Sequence, residues 1–175
     1  MPGNVFAAID FDPETIDGLE HYRDILLEHA PRLRITRPET WHATLVFLGP
    51  LTDEEPAIRI MEEVPFKPFP LVLGGFGTFG RGSRRILWVG VERNPELIDY
   101  QRRLSLAFEE AGFPLEERAY TPHITFSRHW NPKASLDLDL LRSEVQPITT
   151  KVEHPVLLRS ESDHGIPYHE ELFRK

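Results

Sequence analysis

The chain predicts an α+β fold, with mostly antiparallel sheets, helices packed against them, and two related lobes. Three observations carry this. Apolar runs with period two alternate with longer amphipathic stretches, in the repeated order strand, helix, strand. Two short segments, His42-Ala43-Thr44-Leu45 and His123-Ile124-Thr125-Phe126, are nearly alike and lie close to half a chain length apart. No linker, low-complexity tract or block of like charge divides the 175 residues, so one domain over residues 1–175 is expected.

The elements follow in order. Val5 to Ile9 is a short apolar strand. Asp12-Pro13-Glu14 gives an Asp N-cap with proline at the first helical position, and Ile16, Leu19, Ile25 and Leu26 continue an amphipathic helix from Pro13 to His29, ended by Pro31. Leu33 to Thr36 reads as a short strand. Trp41 to Leu48 is the first motif strand, closed by Gly49-Pro50. Thr52-Asp53-Glu54-Glu55 caps a second helix reaching about Val64, and Pro65, Pro68 and Pro70 break it.

Phe69 to Phe79 is strand-like but carries Gly74, Gly75 and Gly77, which point to a bulge or a close backbone approach. With Ile86 to Val91 it forms a hairpin with a basic tip at Gly80-Arg81-Gly82-Ser83-Arg84. Asn94 caps a third helix, Pro95 to Ala111, stopped by Gly112. A loop with Pro114 and Pro122 delivers the second motif strand, His123 to Ser127. Leu136 to Glu144 is a short helix, and Val152 to Arg159 and Tyr168 to Phe173 are the last strands.

Composition narrows the function. Hydrophobic residues make up 40% and charged residues 27%, a globular balance. The absence of cysteine excludes disulfides, zinc–thiolate sites and thiol nucleophiles, and points to a reducing compartment. The opening Met1-Pro2-Gly3-Asn4-Val5 has no signal-peptide pattern, and no apolar run is long enough to span a bilayer, so a cytoplasmic protein is expected. The net charge of −8 argues against broad binding to nucleic-acid backbone but not against a nucleic-acid end held in a small pocket. Local cations for such a pocket come from Arg32, Arg34 and Arg37, from Arg81, Arg84 and Arg85, and from Arg118 and Arg128.

The chemistry lies in the paired motifs. On a strand, residues i and i+2 share a face, so each motif presents an imidazole beside a hydroxyl. If the two strands meet across a cleft, His42 and His123 supply a general acid and a general base near neutral pH, and Thr44 and Thr125 supply hydrogen bonds to oxygens gaining charge. That set suits a phosphodiester without a metal, and no His/Asp/Glu cluster has convincing ligand spacing. The residues alone leave the two rings interchangeable as acid and base. The remaining histidines, His169 among them, read as structural or surface residues. Trp88 reads as core, and Phe6 as core before it reads as a base-stacking ring.

These segments resemble the two-histidine (2H) phosphoesterase superfamily, and within it the LigT-like RNA 2′,3′-cyclic phosphodiesterases, also called 2′-5′ RNA ligases. The resemblance runs over nearly the whole chain. It is carried by Val5-Phe6-Ala7-Ala8-Ile9-Asp10, by Arg37 to Gly49 around the first motif, by Ile86-Leu87-Trp88-Val89-Gly90, by Pro122 to Arg128 around the second motif, and by Leu158-Arg159-Ser160 with Tyr168. It implies a bilobal domain of two sheets with pseudo-twofold symmetry around a central cleft. The implied activity is hydrolysis of RNA 2′,3′-cyclic phosphate ends to 2′-phosphates, with a related reversible 2′-5′ ligation.

By motif position His42 is then the proton donor and His123 the proton acceptor, while Thr44, Thr125 and Arg128 hold the phosphate, with no metal and no cofactor. The implied partners are RNA ends such as tRNA fragments, met by a monomer. Small cyclic nucleotides or an ADP-ribose cyclic phosphate are alternative substrates, and a non-catalytic RNA-binding module is the alternative class. One residue sits awkwardly: strict alternation puts Arg128 on the face opposite His123, so it reaches the cleft only if the strand twists, bulges or ends there.

Overall fold

The computed structural model describes residues 3–81, 84–131 and 136–175. In chain order the elements are β1 (Asn4–Ile9), α1 (Pro13–His29), β2 (Ala43–Pro50), α2 (Glu55–Glu63), β3 (Phe69–Phe79), β4 (Arg85–Val91), α3 (Pro95–Glu110), β5 (His123–Trp130), α4 (Leu138–Glu144), β6 (Ile148–Val152), β7 (Val156–Asp163) and β8 (Ile166–Arg174). Two of the three predicted caps form, at α1 and α3; at α2 the N-cap position falls on Glu54, whose side chain makes no capping bond, and Asp53 accepts only from the Glu55 N–H at 3.1 Å. Asp12 accepts from the Thr15 N–H at 2.8 Å, and Asn94 accepts from the Glu96 and Leu97 N–H groups. These acceptors satisfy amides that the helix itself leaves unpaired.

The α+β class and the antiparallel pairing hold, but the strands make one sheet where two were expected. Its order is β6-β3-β4-β5-β2-β1-β7-β8, and each ladder is antiparallel. The halves join between β2 and β5 through a single register pair, Ala43 opposite Ile124. A sequence shows the two halves but not the one pair of strands that fuses them. Helices α1 and α4 pack against β6 and β3, and α2 and α3 against β2, β7 and β8.

Alternation along the strands sorts the core. Val5, Ala7 and Ile9 of β1 join the main cluster with Leu19, Leu45, Leu104 and Phe126. Phe6 and Ala8 point to the other face, where they form a small separate cluster with Val156 and Leu158. Burying one leucine- or phenylalanine-sized side chain contributes about 1.5–3 kcal/mol, so the larger cluster dominates stability and the smaller one is a floor on the second face.

Other expectations shift locally. Leu33 to Thr36 is not a strand, yet Thr36 donates its N–H to the Phe126 carbonyl (2.7 Å) and its hydroxyl to the Thr125 carbonyl (3.0 Å), clasping β5 from outside the ladder. The run expected from Val152 to Arg159 is broken before Pro155, which has no N–H to give a ladder, so β6 and β7 are separate strands. The glycines of β3 serve both expected purposes. The β3–β4 register shifts between Leu73 and Phe76 around Gly75 (φ 70°), and a side chain at Gly77 would run into the Trp88 indole, 2.2 Å away. The β3–β4 hairpin forms; Gly82 and Ser83 of its tip lie outside the described residues.

Candidate active site

The Ala43–Ile124 pair is the join on which the site is built. Counting outward from an antiparallel pair sets His42 across from Thr125, and Thr44 across from His123. Directly opposed residues share a face, so all four side chains rise from one side of the sheet.

Each motif strand also carries a bulge at the same place. In β2, Thr44 stands opposite Ala8 but Val46 opposite Ala7; in β5, Thr125 stands opposite Trp88 but Ser127 opposite Leu87. Two residues on the motif strand answer one on its neighbour, so Leu45 and Val46, and likewise Phe126 and Ser127, all turn into the core. The third residue after each threonine therefore returns to the site face. In β5 that residue is Arg128, which reaches the histidines through the bulge that strict alternation left out. In β2 it is Phe47, opposite Phe6 and 50% exposed.

The two rings are held alike. His42 Nδ1 lies 2.7 Å from the Thr40 carbonyl, and His123 Nδ1 lies 2.8 Å from the Thr121 carbonyl. A carbonyl only accepts, so each Nδ1 carries a proton and each Nε2 is left as the nitrogen that gains or loses one. His42 Nε2 lies 2.9 Å from Thr44 Oγ1, which donates to it while the ring is neutral. Aromatic rings wall both imidazoles. Phe6 lies 4.8 Å from His42, and Phe79 stands edge-to-face 4.8 Å from His123, backed by Trp88 at 6.2 Å. Trp88 thus belongs to the site face rather than to the interior, while Phe6 is 5% exposed and its ring packs on His42.

Burial is the main reason both rings lose proton affinity. It pushes His42 down to about 4, and the positive charges of His169, Arg128 and His123 push the same way. His123 is lowered by burial and then by Arg118 and Arg128. Of the expected arginines, Arg118 and Arg128 are the ones whose charge reaches the histidines; Arg85 instead lies over the Trp130 ring at 5.9 Å. Arg118 is paired with Glu116, while Arg128 makes no hydrogen bond or ion pair with the described residues and is free to meet an anion.

Reading the sequence missed His169. Its ring stands 5.0 Å from His42 and 5.2 Å from Phe6. No local signal marks it, because β8 reaches His42 only through the folding of the β7–β8 hairpin. Among the described residues no group of three or more His, Asp or Glu is arranged to hold a metal ion, and no helix is long and apolar enough to cross a membrane.

Comparisons with known proteins bear on the family and the fold. The chain is 30% identical over 182 residues to the RNA 2′,3′-cyclic phosphodiesterase of Methanothermobacter thermautotrophicus, covering 98% of this chain and 97% of that protein. It is 34% identical over 143 residues to the RNA 2′,3′-cyclic phosphodiesterase of Geobacillus stearothermophilus, covering 79% of this chain and 46% of that protein, so the match spans about half of that relative's length. The fold is shared with E. coli LigT complexed with 3′-AMP, at a TM-score of 0.79 and 24% identity over 100% of this chain and 98% of that one. The sequence profile of the 2′-5′ RNA ligase superfamily matches residues 11–164. On that match and on the full-length likeness to the archaeal relative, the chain belongs to the 2′-5′ RNA ligase superfamily.

Proposed function

We propose that this chain hydrolyses RNA 2′,3′-cyclic phosphate ends to 2′-phosphates. One observation carries the reading: two imidazoles, each pinned at Nδ1 with Nε2 facing one side of the sheet, share that face with two threonines and an arginine. Relatives named RNA 2′,3′-cyclic phosphodiesterase supply the substrate class.

In this reading the cyclic phosphate sits between the rings. His123 Nε2 takes a proton from water, water oxygen bonds to phosphorus, and the bond from phosphorus to the 3′-oxygen breaks. His42 Nε2 gives its proton to that leaving oxygen, so one proton is taken up and one released per turnover. Each positioned transfer is worth about 10²–10⁴ in rate. The neutral resting state of His42 fits this sequence of events, because the bound phosphodiester carries the negative charge that draws a proton onto the ring. Thr44, Thr125 and Arg128 hold the non-bridging oxygens as charge builds on them. A 5′-hydroxyl in place of water gives a 2′-5′ bond through the same transfers. No metal or cofactor is asked of the site.

The similar placement of the two bulges supports a pseudo-twofold relation between the halves, and a single bilobal unit over residues 1–175. Phe6 is committed to His42, so Phe47 is the exposed ring of that face on which a base next to the phosphate would stack. The protein acts in this reading as a cytoplasmic monomer.

The test is to incubate the protein with an oligonucleotide ending in a 2′,3′-cyclic phosphate, with chelator present, and to identify the product isomer. A 2′-phosphate is expected. A 3′-phosphate, no product, or turnover of cyclic mononucleotides alone would overturn the reading.

A further inference from the structure

Three rings close a triangle at the edge of the site. The centroids of Phe6, His42 and His169 lie 4.8, 5.0 and 5.2 Å apart. Phe6 is tilted 32° to His42, while His169 meets both rings edge-to-face, at 77° and 80°. The sheet holds all three in place. β8 sets His169 opposite Ser160 of β7, and β7 sets Leu158 opposite Phe6 of β1. His42 is thereby fixed at Nδ1 by the Thr40 carbonyl, at Nε2 by Thr44, and on its ring by Phe6 and His169.

We propose that His169 is a positioning residue for His42: its ring locks the His42 imidazole against Phe6 with Nε2 held toward Thr44, and its charge, when it takes a proton, bears on His42. The contact is a titrating one. Besides His42, the charge facing His169 is that of Arg128 on β5, which with burial lowers the proton affinity of His169. On the short 3₁₀ turn Pro38–Thr40, which packs on β8, Glu39 is paired with Arg37. On β7, Arg159 is paired with Glu54, Glu161 and Glu170. Among the positive neighbours that lower His42, His169 acts more strongly than Arg128 or His123. A phenylalanine at 169 would fill the same space without the charge, so packing and charge can be separated.

The experiment compares His169→Ala and His169→Phe. The imidazole titration of His42 is read by ¹⁵N NMR in the ligand-free protein, and kcat and KM are read on the cyclic-phosphate oligonucleotide. In both variants the His42 midpoint should rise by about half a pH unit, the size of one screened like-charge contact at this range. His169→Ala should also lose roughly tenfold in kcat with KM little changed, and His169→Phe should recover most of that loss. An unmoved His42 titration in both variants, or full kcat in His169→Ala, would overturn the proposal. The rate measurement rests on the cyclic-phosphodiesterase reading. The titration needs no substrate, so failure of that reading leaves the ring coupling separately tested.

Discussion

Ser127 stands opposite Leu87, one residue further along than the register of Thr125 and Trp88 would carry it. That slip turns Ser127 into the core and Arg128 out onto the face of His123. The hydroxyl of Ser127 is fully buried and has no hydrogen-bond partner among the described residues. Aiming Arg128 therefore carries an energetic cost in the fold, and the cost can be measured.

Ser127→Ala removes a buried oxygen that bonds to none of the described residues and leaves the backbone free to keep its bulge. The variant should match or exceed the parent in stability, by up to about 1 kcal/mol, as read in urea unfolding. A loss of more than that would mean the hydroxyl has a partner in solution.

The paired histidines should be indispensable to turnover but not to folding. His42→Ala and His123→Ala should each cut cyclic-phosphate hydrolysis at least about a hundredfold, the lower end of one positioned proton transfer. Circular dichroism should remain native. Near-normal rates in either variant would remove that ring from the mechanism.

The groups around the phosphate should cost less. Thr44→Ala and Thr125→Ala should each slow turnover about tenfold, from one lost hydrogen bond in the transition state. Arg128→Ala should act mainly through KM and flatten the dependence of KM on ionic strength, because among the described residues Arg128 has no ion pair to compete with the anion. A salt dependence identical to that of the parent would place Arg128 outside the binding site.

Stability should fall as the medium is acidified through the histidine range. His42 titrates near 6.5 when unfolded and about 4 when folded. Between those values the unfolded chain takes a proton that the folded chain refuses. The contribution is thus complete above pH 6.5, is lost as pH falls, and is gone near pH 4. It amounts to about 3 kcal/mol at most, from the pKa difference and 1.36 kcal/mol per unit. His123 and His169 are lowered too and add in the same direction. Urea midpoints measured from pH 7 to pH 4 should show the slope, and His42→Asn should make it shallower. An equally steep slope in that variant would assign the effect elsewhere.

The sequence by itself determined that His42 lies beside Thr44 and His123 beside Thr125, because alternation on a strand is a local property of the backbone. Local chemistry also determined the caps at Asp12 and Asn94, since a side-chain oxygen next to free amides needs no distant partner. Tertiary structure alone decided that the two halves fuse into one sheet at Ala43 and Ile124, that paired bulges bring Arg128 and Phe47 to the site face, and that His169 joins His42. Each of these depends on which strands become neighbours and in what register, and that is set by packing between residues far apart in the chain.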